Sequence, residues 1–78
     1  MNYKEAYKNL YDLIKARLKE AELPHTDAAI AKVLKKKRAG ILTKMGERGK
    51  IDEEDYFWLK HKFSHLFEKS TINSELPG

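Results

Sequence analysis

The stretch Thr26–Met45, TDAAIAKVLKKKRAGILTKM, predicts two short helices separated by a run of basic residues. Thr26 is a residue type that commonly caps a helix N-terminus, and the first helix is predicted over 28–34. Its apolar face consists of Ile30, Ala31 and Leu34. The second helix is predicted over 38–45, and its inward-facing residues are Ile41 and Met45. The pattern therefore predicts two helices that meet at a tight turn.

One longer helix is predicted before this pair and another helix after it. The first covers residues 2–22, where neither Gly nor Pro interrupts an apolar stripe formed by Tyr7, Leu10, Leu13, Ile14, Leu18 and Ala21. The last begins after Asp52, because this N-cap candidate is followed by acidic residues that favour a helix N-terminus. Its stripe is Tyr56, Leu59, Phe63 and Leu66, broadened by Phe57, Trp58 and Phe67.

No strand pattern interrupts this order of helices. We therefore predict one small all-α, four-helix domain over residues 1–68. Residues 69–78 are polar and aperiodic, and they are predicted to form a flexible tail or the start of a linker.

Several apolar positions of the region 26–63 match the spacing of a known helical arrangement. Ile30-Ala31 lies in the middle of the first short helix, and further apolar residues follow at Leu34, Ile41, Met45 and Ile51. This region resembles the helix-turn-helix of the Cro and lambda-type repressors, the Xre-like family. The resemblance implies a lambda-repressor-like fold with a recognition helix over 38–45. It also implies a transcriptional repressor, of a phage or mobile element, that binds duplex DNA in a sequence-specific manner.

Three lysines depart from the family pattern. The family usually has Gly in the turn, where this sequence has Lys35, and a left-handed backbone costs a non-Gly residue about 1–2 kcal/mol. We therefore expect the turn to be built differently or to be one residue longer. Lys36 and Lys44 stand where the family has apolar residues. Leu42 or Met45 would replace the second of these, which would rotate the recognition helix.

Charge is distributed unevenly along the chain. The formal net charge is +4, with +6 in residues 24–50, +1 before them and −3 after them. A polarised basic surface attracts polyanions, among which nucleic acid is the commonest in a cytoplasm. A lysine run can also be only a solvated surface. The concentration of charge beside the predicted turn favours a phosphate-binding role.

The outer face of the predicted recognition helix is small, because Ala39 and Thr43 point away from the core, with Gly40, Leu42 and Gly46 beside them. A bare face lets a helix approach the floor of the DNA major groove. Arg38 is a candidate for a bidentate contact with guanine, although a contact with phosphate alone is equally compatible. The predicted base-contacting residues are Lys37, Arg38, Ala39, Leu42 and Thr43.

The remaining polar and basic residues of this region are predicted to contact DNA phosphates, which supply affinity and salt dependence but little sequence information. They are Thr26, Lys35, Lys36, Lys44, Arg48 and Lys50. The negative charge of Asp27 opposes a close phosphate contact at Thr26. Solubility alone is an alternative role for Lys32 and Lys50.

Other kinds of site find little support in the sequence. His61 and His65 are four residues apart, but no third ligand accompanies them, so no metal site is predicted. The chain has no Cys, and no nucleophilic triad, phosphate-binding Gly-rich loop or carboxylate pair is seen. We therefore predict no catalytic residue, no cofactor and no enzymatic activity.

Duplex DNA is the predicted partner, rather than a membrane or a small-molecule substrate. A homodimer is expected, because one short recognition helix reads few base pairs. Most of the tyrosine stripe of the first helix (Tyr3, Tyr7 and Tyr11) is assigned to the core edge, and Trp58 and Phe67 are assigned to the core. A dimer contact is the alternative for an exposed part of the stripe and for Trp58 or Phe67. The N-terminus is too charged for a signal peptide, which favours a cytoplasmic protein. Two other functions stay open: an antitoxin-type or anti-repressor-type module whose basic surface binds an acidic protein, and an RNA-binding module.

Overall fold

The order of elements follows the predicted one. The computed structural model describes residues 2–67, which form α1 (Tyr3–Glu20), α2 (Asp27–Leu34), α3 (Arg38–Met45) and α4 (Glu53–Lys62). A turn at 63–64 ends α4 before Leu66, and residues 65–67 form a fifth, short helical segment, so the predicted count of four helices is wrong by this segment. Residues 2–67 contain no strand. The predicted all-α class is therefore confirmed. The predicted tail at 69–78 lies outside the described residues.

Side-chain caps explain where three of the helices begin. The Asn2 and Thr26 side chains each accept a hydrogen bond at 3.1 Å from a backbone N–H three residues on. Asp52 accepts from the Asp55 N–H at 3.0 Å, and the Asp55 carboxylate accepts from the Asp52 N–H at 3.3 Å, which completes a capping box. The predicted N-caps at Thr26 and Asp52 are confirmed.

The turn between α2 and α3 is left-handed at the position where the family pattern places Gly. Lys35 has φ 58° and ψ 40°. Its N–H donates to the Lys32 carbonyl at 3.1 Å, and the N–H of Lys36 donates to Ala31 at 3.0 Å, a pattern that closes the last turn of a helix. The expectation of a differently built or longer turn is therefore wrong, because Lys35 itself adopts the strained conformation.

The core lies between α1, α2 and α4, with one contribution from α3. The buried residues are Tyr7, Tyr11, Ile14, Leu18, Ile30, Ala31, Leu34, Ile41, Ile51, Leu59 and Phe63. α4 packs on α1 and α2, and α3 packs on α2. Burial of apolar side chains is the main stabilising term for a chain of this size. The predicted apolar face of α2 is confirmed in full.

Some predicted core residues lie on the surface instead. Leu13, Phe57 and Trp58 are 44%, 47% and 37% exposed. Leu13 and Trp58 are next in sequence to the buried Ile14 and Leu59, and Phe57 is next to the half-buried Tyr56; successive residues of a helix point about 100° apart. Because α1 and α4 are covered on one side only, such neighbours stay outside the core. Tyr3 and Phe67 are half-buried against it.

None of the helices within residues 2–67 combines the length and the apolar character that crossing a membrane requires.

Candidate nucleic-acid interface

α3 is attached to the domain through one side. Ile41 is its one buried residue, and Leu42 and Met45 are half-buried. On the other side Ala39 and Thr43 are exposed, and the exposed Gly40 lies on the flank, beside a depression that Asp55 and Trp58 also line. A Cβ atom added at Gly40 would have no neighbour within 4 Å. The outward face of α3 is therefore both small and unobstructed by the described residues.

Thr43 is the polar side chain at the centre of this face. Its hydroxyl donates to the Ala39 carbonyl at 2.8 Å, so its proton is used within the helix. A hydroxyl oxygen keeps lone pairs when it donates, which leaves Thr43 able to accept a hydrogen bond from outside. Leu42 is less available than predicted for contact with a thymine methyl group, because it is half-buried.

The basic residues Lys35–Arg38 are all exposed. Within residues 2–67 their side chains form no hydrogen bond or ion pair. α3 has no side-chain cap at Lys37 and no acidic residue in its first turn. The N–H groups at its N-terminus therefore add their partial positive charge to that of the basic run. This end of α3 is suited to an anionic partner.

We call the basic ridge the surface formed by Lys35–Arg38 together with Ala39, Gly40 and Thr43. All of these residues are exposed. Lys35–Arg38 run from the end of α2 into the first residue of α3, Ala39 and Thr43 lie on the outer side of α3, and Gly40 lies on its flank. Four of the five predicted base-contacting residues belong to it, and Leu42 stands at its margin.

Lys44 is used within the protein. Its ammonium group donates to both carboxylate oxygens of Asp55, at 2.9 and 3.0 Å. Partial burial raises the pKa of Asp55, but the hydrogen bonds from Lys44 and from the Asp52 N–H outweigh this and lower it overall. Lys44 thus links α3 to α4, and it is the least available of the predicted phosphate contacts.

The loop after α3 carries two further predicted phosphate contacts, Arg48 and Lys50, both exposed. Lys4 of α1 stabilises this loop by donating to the carbonyls of Glu47 at 3.1 Å and Gly49 at 3.0 Å. No local sequence pattern signals this role of Lys4, because its bonds reach residues more than 40 positions away.

At the N-terminus of α2, Thr26 is exposed and Asp27 is turned toward α1. The Asp27 carboxylate accepts from the Tyr11 hydroxyl at 2.7 Å and from the Lys15 ammonium at 3.1 Å. These two bonds lower the pKa of Asp27, and the positive charge of Arg38 adds to the effect. The ion pair with Lys15 offsets the negative charge that opposes a phosphate contact at Thr26.

Trp58 contacts the turn that precedes α3. Its indole N–H donates to the Leu34 carbonyl at 2.9 Å, and the Lys62 ammonium lies 4.8 Å from the centroid of its ring. The sequence pattern predicts a core position for Trp58 and does not signal this bond. The sequence shows only that Trp58 stands next to an apolar Leu in a helical pattern. That pattern does not distinguish a Trp packed in the core from one that donates a hydrogen bond to a turn.

Within residues 2–67 no group of three or more His, Asp or Glu is placed to hold a metal ion, and His61 and His65 are not joined by a third ligand. Comparisons of the chain with protein-family models, with curated proteins and with solved structures found no match.

Proposed function

We propose that this protein binds duplex DNA in a sequence-specific manner, with α2 and α3 as a lambda-repressor-like helix-turn-helix and α3 in the major groove. The observation that carries the proposal is the basic ridge: an exposed, small-faced helix that follows four consecutive cationic residues. A major groove accepts one α-helix, and a face of Ala, Gly and Thr lets the backbone approach the base edges closely.

The proposed base contacts follow from the chemistry of the exposed groups. Arg38 matches the O6 and N7 acceptors of guanine, and Lys37 is the adjacent donor. Thr43 accepts from the amino group of adenine or cytosine, because its proton is already donated to Ala39. Ala39 meets a thymine methyl group, with Leu42 at the edge of the contact.

The proposed phosphate contacts lie on both sides of α3. Lys35 and Lys36 precede it, Arg48 and Lys50 follow it, and all four are exposed. Thr26 offers a further contact at the start of α2. These residues supply affinity that falls steeply with salt, because each neutralised phosphate releases counterions.

In the cell, such a domain would act in the cytoplasm as a transcriptional repressor of a phage or mobile element. It would do so without catalysis and without a cofactor. One eight-residue recognition helix reads few base pairs, so we propose that two copies bind a two-fold operator.

Selection of bound sites from random duplex DNA, followed by titration of the selected duplex, tests the proposal. The expected result is a shared motif, with paired half-sites if a dimer binds. Arg38→Ala combined with Thr43→Ala should weaken binding to the selected duplex about tenfold or more, because a good bidentate pair alone discriminates by about 1–3 kcal/mol. Lys8→Gln, an exposed lysine of α1, is the matched control and should leave the sequence preference unchanged.

Other outcomes would contradict the proposal. A stoichiometric complex with an acidic protein, without any shift of duplex DNA, would support the protein-interaction function instead. Preferential binding of structured RNA in direct competition with duplex DNA would support an RNA-binding module.

A further inference from the structure

The carbonyl oxygen of Leu34 lacks a backbone partner within residues 2–67. Leu34 is the last residue of α2, and the chain turns left-handed immediately afterwards, so no N–H follows in helical register. The indole N–H of Trp58, on α4, donates to this oxygen at 2.9 Å. Trp58 therefore satisfies the acceptor that the turn leaves unpaired.

The ring of Trp58 is placed for this bond rather than for the core. Trp58 is 37% exposed, whereas its neighbour Leu59 is fully buried. The ammonium group of Lys62 lies 4.8 Å from the Trp58 ring centroid, which restrains the ring from a second side. The hydrogen bond to Leu34 is thus the specific contribution of an indole at this position.

The turn is one of the contacts that set the direction of α3, together with the packing of Ile41 and the ion pair between Lys44 and Asp55. α3 has eight residues, no side-chain N-cap and one buried residue, Ile41. A helix this short is not stable by itself, so its orientation depends on the segments that join it to the domain. The turn is one such segment, and Lys35 there holds a conformation that a non-Gly residue adopts at a cost.

We infer that Trp58 is a positioning residue for DNA recognition: its hydrogen bond to Leu34 holds the left-handed turn that orients α3. This inference rests on the proposed function. Trp58 itself contacts no DNA base in this scheme, so its removal should affect sequence discrimination more than phosphate binding.

The test replaces the indole by an isostere without a donor. Benzothienylalanine at position 58 keeps the shape of Trp58 and removes the N–H, and the 78-residue chain is accessible to chemical synthesis. Affinity for the selected duplex should fall about fivefold, the change expected for one lost hydrogen bond. Affinity for an unrelated duplex, and the salt dependence, should stay unchanged. Trp58→Phe should behave similarly.

Phe57→Leu is the matched control, because Phe57 is the adjacent exposed aromatic of α4 and forms no hydrogen bond to the turn. It should leave both affinities unchanged. An equal loss of affinity for both duplexes in the isostere, or no loss for either, would overturn the positioning role.

Amide hydrogen exchange provides a readout that does not need DNA. The hydrogen-bonded N–H groups of Lys35, Lys36 and Ile41 should exchange about fivefold faster in the isostere, whereas those of α1 should not change. Unchanged exchange at these three positions would overturn the inference even if the protein binds DNA. If the unmodified protein binds no duplex, the proposed function fails, and exchange still shows whether Trp58 holds the turn.

Discussion

Gly49 is the residue at which a single methyl group should have the largest effect on the loop after α3. A Cβ atom there would overlap the backbone oxygens of Thr43 and Lys44. Gly49→Ala should therefore lower the free energy of unfolding, by about 1–3 kcal/mol on the scale of overpacked sites. Urea unfolding followed by circular dichroism measures the change.

Gly40→Ala is the control for this substitution, since a Cβ atom at Gly40 meets nothing within 4 Å. Gly40 lies in the first turn of α3, and Ala there should stabilise the helix by at most about 0.5–1 kcal/mol, the value for a helix interior. Equal effects of the two substitutions would show that the crowding at Gly49 does not control stability.

Lys35 offers the converse case, in which Gly relieves strain. With φ 58°, Lys35 holds a conformation that costs a non-Gly residue about 1–2 kcal/mol. Lys35→Gly should raise the midpoint of thermal unfolding, while Lys36→Gly, one residue later and outside the left-handed region, should not. A fall in the midpoint for Lys35→Gly would mean that its side chain contributes more to stability than the strain removes.

The contact between α1 and the start of α2 should make stability depend on acid pH. The folded state lowers the pKa of Asp27, chiefly through the hydrogen bond from Tyr11. The resulting stabilisation is present above the pKa of an unfolded Asp, about 3.9, and is lost as the pH falls through the lower folded value. Tyr11→Phe should flatten this acid dependence.

Urea titrations between neutral and acidic pH measure that dependence. Tyr3→Phe is the matched control, because Tyr3 is a half-buried tyrosine of the same helix without a hydroxyl hydrogen bond to another of residues 2–67. Its profile should match that of the unmodified protein. If the free energy of unfolding of Tyr11→Phe fell with decreasing pH as steeply as that of the unmodified protein, the hydrogen bond from Tyr11 to Asp27 would not be the cause of the acid dependence.

The elements were predictable because their signals are local. Thr26 and Asp52 mark helix starts by residue type, and Ile30, Ala31 and Leu34 mark a buried face by spacing. The contacts that place α3 were not predictable in this way. The bonds of Lys4 to the loop and of Trp58 to Leu34 depend on how helices rotate against one another, which sequence spacing does not report.

Lys44 and Trp58 show the same limit within the candidate site. Lys44 lies in a basic region and is predicted to contact a DNA phosphate, but the packing of α3 beside α4 brings its ammonium group to the Asp55 carboxylate. An aromatic residue beside a core stripe was assigned to the core, but one-sided packing of α4 leaves it 37% exposed. In both cases the residue type indicates what kind of contact the side chain can form, but it does not indicate which group of the protein the side chain contacts.

At the scale of the whole molecule, the uneven charge should appear in the salt dependence of DNA binding. Lys36→Gln should reduce the slope of log K against log salt by about 1 while leaving the sequence preference intact. Lys44→Gln should change the slope less, since Lys44 is paired with Asp55. Titrations at several salt concentrations measure both, with Lys8→Gln as the control. Equal slopes for Lys36→Gln and the control would remove Lys36 from the phosphate contacts.

Because α3 has one side attached to the domain and one side that faces outward, its binding preference can change by substitution without loss of the fold. Ala39, Gly40 and Thr43 bury no core contact, whereas Ile41 anchors the helix. Most members of a library randomised at these three positions should still fold. New binding preferences could then arise by exchange of a few outward side chains on an unaltered scaffold.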